Sequence, residues 1–110
     1  MSANKEFAMV PGGALGTTTT GETIYVGDYT NIDMYMSATA VSGTSPTLDC
    51  VVSSSADGSV WITHTTFTQV TAAAAEKKNL TAFGNYIRVI STIGGSSTPI
   101  VTFTLKSVGK

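Results

Sequence analysis

Residues Thr47 to Ile62 hold the pattern that most restricts what this chain can fold into. In Thr47-Leu48-Asp49-Cys50-Val51-Val52-Ser53, Leu48, Cys50 and Val52 fall on one side and Asp49, Val51 and Ser53 on the other. That period of two belongs to a strand with one face in a core. Ser54-Ser55-Ala56-Asp57-Gly58-Ser59 follows with an Asp-Gly turn, and Val60-Trp61-Ile62 resumes an apolar run around the single Trp. Strand, Asp-Gly turn and strand together make a β-hairpin.

The same grammar runs through the rest of the chain. Ile24 and Val26 alternate with Thr23 and Tyr25, and Met34, Met36, Ala38 and Ala40 alternate with Tyr35, Ser37 and Thr39. Phe67-Thr68-Gln69-Val70 adds apolar volume. Tyr86 to Thr92 is a β-rich run, Gly94-Gly95-Ser96-Ser97 a turn, and Ile100 to Val108 a last alternating strand. Seven or eight short strands between Gly, Ser and Asp turns specify an all-β fold: one antiparallel β-sandwich domain, jelly-roll-like. Its expected core is Leu48, Cys50, Val52, Trp61, Phe67, Ile87, Val89, Phe103 and Leu105. The run Ala72-Ala73-Ala74-Ala75-Glu76-Lys77-Lys78 is the one place where helix propensity rises. It is only about two turns long, too short to stand alone as a helix. It reads as a strand end followed by a loop, with a short helical turn as the alternative.

Residues 1–21 are set apart from the body at 22–110. The apolar run Phe7-Ala8-Met9-Val10 stops at Pro11-Gly12-Gly13, and a Thr-rich spacer, Thr17 to Thr20, follows. This segment is either the first edge strand of the sheet or an arm that packs on a neighbour.

At 110 residues the chain has material for one core. Charged residues are 12% of it and the net charge is −1, which leaves no electrostatic footprint for nucleic acid or an anionic membrane. Lys77-Lys78 reads as a solvated pair. The polar surface is built instead from Ser and Thr, which suits packing against other proteins. Cys50 is the only cysteine, so no intramolecular disulfide holds the fold. No apolar run is long enough to span a membrane, and Met1-Ser2-Ala3-Asn4-Lys5-Glu6 lacks a signal-peptide core, so synthesis in a cytoplasm without signal-peptide export is expected.

Catalytic chemistry finds little to work with. His64 is the only histidine and no serine sits in a Gly-x-Ser-x-Gly elbow, so neither a triad nor an enzyme is expected. One Cys and one His cannot make a structural zinc site, and the acidic residues lack calcium-loop spacing; no metal and no cofactor are expected. Gly12-Gly13 and Gly94-Gly95 lack the context of a phosphate loop and read as turns. Tyrosines are more promising. Tyr25 and Tyr35 fall on mixed strand faces and Tyr29 in a Gly-Asp-Tyr-Thr-Asn loop, where amphipathic rings either cap the core or anchor a protein or sugar.

The order Pro46-Thr47-Leu48-Asp49, Ser54-x-x-Asp57-Gly58-x-x-Trp61, Phe67-Thr68-Gln69-Val70 and Tyr86-Ile87-Arg88-Val89 resembles the capsid decoration proteins, of cement or staple type, of short-tailed bacteriophages. The resemblance covers residues 22–108. It implies a structural protein on the outer surface of a virion that clamps neighbouring subunits of the major capsid protein, with self-association as a dimer or trimer left open. It marks no contact positions. The candidate partner contacts are Phe7, Met9, Val10, Tyr25, Tyr29 and Tyr35. The strand at Tyr86 is also similar to one in galactose-binding-like jelly rolls, which keeps a carbohydrate-binding module, with a glycan as partner, as the alternative. A tail or baseplate component is a third reading.

Overall fold

The structure, a computed structural model, describes residues 5–15, 18–21 and 23–110, without the side chains of 5 and 8–15. Seven strands form one antiparallel sheet: β1 (Lys5–Leu15), β2 (Thr19–Thr20), β3 (Ile24–Tyr25), β4 (Ile32–Ser55), β5 (Ile62–Thr66), β6 (Ala74–Leu80) and β7 (Tyr86–Gly109). The architecture turns on β4 and β7, each 24 residues long. They pair from Ile32↔Gly109 at one end to Ser55↔Tyr86 at the other.

That long ribbon is flanked differently along its length. Near Ile32 it is flanked by β1 on β7 and by β6 on β4; near Ser55 it is flanked by β2 and β3 on β7 and by β5 on β4. We call these the proximal and distal layers. Between them the register slips at Ser42/Thr44 and Thr44/Thr47. The ribbon bends there, and the layers close face to face. Met34, Met36, Ala38, Val101, Phe103 and Leu105 from the proximal layer form one buried cluster with Leu48, Cys50, Val52, Ile87 and Val89 from the distal layer. The result is a β-sandwich whose two layers share their central strands.

The bend explains two glycines. Gly43 (φ 98°) and Gly95 (φ 118°) occupy the left-handed region that side chains disfavour. A Cβ on Gly95 would also lie 2.8 Å from the Ser45 carbonyl oxygen, and one on Gly43 2.8 Å from the Cα of Pro99.

Three sequence expectations need correction. Trp61 is not in the core: it is half-buried on the outside of the distal layer. The other eight expected core residues are at most 2% exposed. Ala40 is exposed, because a one-residue bulge at Thr39 shifts the pairing from Ala38↔Phe103 to Ala40↔Thr102. The bulge reverses which side of the strand faces in, so Val41, not Ala40, packs on the core. The alanine-rich run holds no helical turn, and its loop is limited to a bend at residues 71–73; from Ala74 it is strand β6, paired with β4 from Ile32↔Leu80 to Ala38↔Ala74. The open edge of β4 overrides a weak local preference for helix.

Candidate functional site

Strand parity gives the distal layer its outer face. Ile87 and Val89 point into the core, so Tyr86, Arg88 and Ile90 point out. Residues directly opposite one another share a face. Tyr86 therefore stands between Tyr25 of β3 and Ser55 of β4; Arg88 stands beside Ser53 and, one strand further, Thr63 of β5; Ile90 lies between Thr20 and Val51.

The aromatic groups interlock. The rings of Tyr25 and Tyr86 meet edge to face at 5.5 Å and 70°. The Arg88 guanidinium lies over the Trp61 ring, 4.2 Å from its centre. Tyr86 also reaches the hairpin turn, where a Cβ on Gly58 would touch its ring at 3.8 Å. The turn is itself fixed: the Asp57 carboxylate accepts hydrogen bonds from the Ser59 and Val60 amides at 2.9 and 3.1 Å and from the Ser55 hydroxyl at 3.2 Å. Those bonds, the Ser59 amide foremost, hold the Asp57 carboxyl below the usual carboxylate range. Three aromatic rings and one guanidinium thus form a patch on a rigid sheet. Tyr25 is 52% exposed, and Val60 and Ile62, at the adjoining rim, are 65% and 67% exposed.

Behind that rim lies an open cleft of about 350 Å³ lined by Ser54, Asp57, Val60, Ile62, His64 and Ala82 among others. It brings the single histidine near two serines and an aspartate. No hydrogen bond links them to His64: the Ser55 hydroxyl bonds Asp57 and the Gly58 amide, and the Ser54 hydroxyl accepts from the Gly84 amide at 2.6 Å. Among the described residues no three His, Cys, Asp or Glu side chains gather as a metal site.

The remaining candidates are dispersed. Tyr35 is 46% exposed on the outer face of the proximal layer, opposite Lys77 and Lys106, with the Lys77 ammonium 5.6 Å from its ring centre. In the next row Asp33 is buried and held by Lys110 at 2.7 Å and by the Asn79 amide at 2.8 Å. The Lys110 contact, then Asn79, lowers the Asp33 pKa from its ordinary value. Tyr29 is half-buried and packs edge to face on Phe7, ring centres 5.8 Å apart. β1 carries Phe7 and runs along β7, with Val10 opposite Leu105 and Met9 at a bulge; the side chains of Met9 and Val10 lie outside the described residues. Of the six sequence candidates, only Tyr25 stands in the aromatic patch. Tyr86 and Arg88 read in sequence only as strand residues, since their alternation is that of any strand, and Trp61 read as core. The signal available was the parity of Tyr86 and Arg88, which excludes both from the side occupied by Ile87 and Val89.

No protein-family model matches the sequence. No curated protein matches it either. The fold has solved counterparts. PBSX exported protein XepA superposes with a TM-score of 0.69 at 15% identity, over 96% of this chain and 36% of that one, so the chain spans about a third of XepA's length. SPBc2 prophage-derived protein YomS gives 0.59 at 11% identity, over 97% and 92% of the two chains. The CBM36-1 domain of a multidomain xylanase from the hindgut metagenome of Trinervitermes trinervoides gives 0.51 at 13% identity, over 98% of each. At these identities the likeness is one of fold: the chain shares its β-sandwich with a prophage-derived protein and with a domain of a xylanase.

Proposed function

We propose that the chain is a non-catalytic binding module of a bacteriophage particle. It attaches as a decoration protein to the outer surface of the capsid and bridges neighbouring subunits of the major capsid protein. The observation that carries this reading is the patch of Tyr25, Tyr86, Trp61 and Arg88 on the outer face of the distal layer. Tyr, Trp and Arg are the side chains that most often dominate protein interfaces: Tyr and Trp bury a large area with little loss of rotamer freedom, and Arg adds directional hydrogen bonds. The surroundings are Thr20, Thr63 and Thr66, exposed neutral hydroxyls that hydrogen-bond readily to a partner or to interface water. The fold shared with the prophage-derived YomS is consistent with a phage origin. On a symmetric shell many such contacts act together, so weak individual contacts suffice.

The test uses heads from a phage whose copy of the gene has been deleted. Added protein is expected to sediment with these heads and to raise the temperature at which they rupture; Tyr86→Ala is expected to bind more weakly while still folding. Heads that rupture at the same temperature with and without bound protein would overturn the cement role.

A second reading, a carbohydrate-binding module, is favoured by the fold shared with the xylanase domain and by exposed rings on which a sugar could stack. Binding to xylan or to arrayed glycans that is lost in Trp61→Ala, with no binding to heads, would put it first.

A further inference from the structure

Arg88 differs from Lys77, the other base that faces a ring and no carboxylate among the described residues, in being half-buried where Lys77 is exposed. Lys78, Lys106 and Lys110 each have a carboxylate partner within the fold, at 3.7, 3.6 and 2.7 Å. Arg88, the only Lys or Arg between Lys78 and Lys106, has none among the described residues. Its guanidinium makes no hydrogen bond there either. Nε is buried without an acceptor, and the residue as a whole is half-buried. A buried donor left unpaired is costly, so among the described residues the stack on Trp61 is the one contact that offsets the cost of holding the group in this position.

The position suits an external acceptor. The guanidinium lies over the Trp61 ring, and a guanidinium carries its N–H groups in a planar fork. That fork matches the two oxygens of a carboxylate, and the stack removes part of the entropy that a free Arg side chain would lose on binding. Among the described residues the rest of the face carries no second base, so it suits one isolated carboxylate and not a polyanion.

We infer that Arg88, clamped on Trp61, is the anchor for an Asp or Glu side chain of the protein on which this face docks. The inference rests on the proposed attachment to coat subunits and names the chemistry of the contact.

Arg88→Gln and Arg88→Lys are compared with the unaltered chain for binding to undecorated heads, with melting temperatures recorded for each. Both are expected to bind about tenfold more weakly or worse, Lys included, because it lacks the planar fork. Both are expected to melt within a few degrees of the unaltered protein. The heads are then treated with carbodiimide and glycinamide to neutralise surface carboxylates. Unaltered protein is expected to fall to the affinity of Arg88→Gln, and Arg88→Gln to lose nothing further. Equal affinity of Arg88→Gln and unaltered protein for untreated heads overturns the inference while leaving capsid attachment standing. So does an equal loss by both on treated heads. Failure of the unaltered protein to bind untreated heads overturns the attachment itself and the inference with it. Arg88-dependent binding to polygalacturonate but not to heads assigns the carboxylate to an acidic sugar and overturns the protein partner.

Discussion

Cys50 has its thiol 3.7 Å from the Ser91 hydroxyl, inside the core. Burial, the larger effect, and the nearby charge of Asp49 push its pKa up from 9.0 to about 11, against the opposing pull of the Ser91 hydrogen bond. The folded chain therefore holds this proton more tightly than the unfolded chain. The contribution to stability is complete below pH 9 and is lost as pH rises toward 11. Unfolding midpoints measured across that window are expected to fall more steeply for the unaltered protein than for Cys50→Ala, whose packing loss is the same at every pH. Parallel slopes would show that the thiol proton is not held by the fold. Trp61 gives the opposite case. A fully buried Trp or Phe costs about 3–5 kcal/mol when cut to Ala, the cost expected for Phe103. Half-buried Trp61 is expected to cost about 1 kcal/mol, and denaturant titration of both variants checks the contrast. Alternation placed Cys50 in the core because its neighbours Leu48 and Val52 share a strand whose two sides differ sharply. Trp61 follows the turn, where the pattern is too short to reveal parity and size alone suggested burial.

Among the elements, the corner of the ribbon is the most exacting. Gly95 combines a positive φ with carbonyl oxygens of Ser45 and Thr44 at 2.8 and 2.9 Å from where a Cβ would stand. Gly95→Ala is expected to destabilise by about 2–3 kcal/mol in urea titration, through strain and displacement of the backbone. A change below half of that would mean that the corner yields easily. Gly94-Gly95 was readable as a turn, but nothing local showed that the chain on either side remains one strand paired with β4. That continuity comes from a partner some fifty residues away in sequence, as Thr47↔Gly94 and Thr44↔Ser96 show. β6 was missed for a related reason. Its alanines and lysines favour helix weakly, and only the unpaired edge of β4 selects the strand. The Asp57-Gly58 hairpin needed no such help, since its turn is closed by bonds within six residues.

Taken whole, the molecule is a single bent ribbon with two layers and one core. Its class was legible because two-residue alternation recurs in nearly every segment, and a sheet with one apolar face must cover it. The aromatic patch proposed as the docking face was not legible, because it depends on which strands lie side by side: Tyr25 and Tyr86 are 61 positions apart yet directly opposite in the sheet. The two outer faces also differ in character. The proximal face carries Tyr35 between Lys77 and Lys106, whereas the distal face carries Tyr25, Tyr86 and Trp61 with Arg88. An attachment that uses the distal face must leave the proximal face, on the opposite side of the sandwich, away from the shell. Cryo-electron microscopy of undecorated heads saturated with the protein reads this orientation directly. The account predicts density for the distal layer against the coat, with Trp61, Tyr86 and Arg88 at the contact and Tyr35 toward solvent. Heads bearing the protein the other way round, with Trp61 and Arg88 facing solvent, would contradict it.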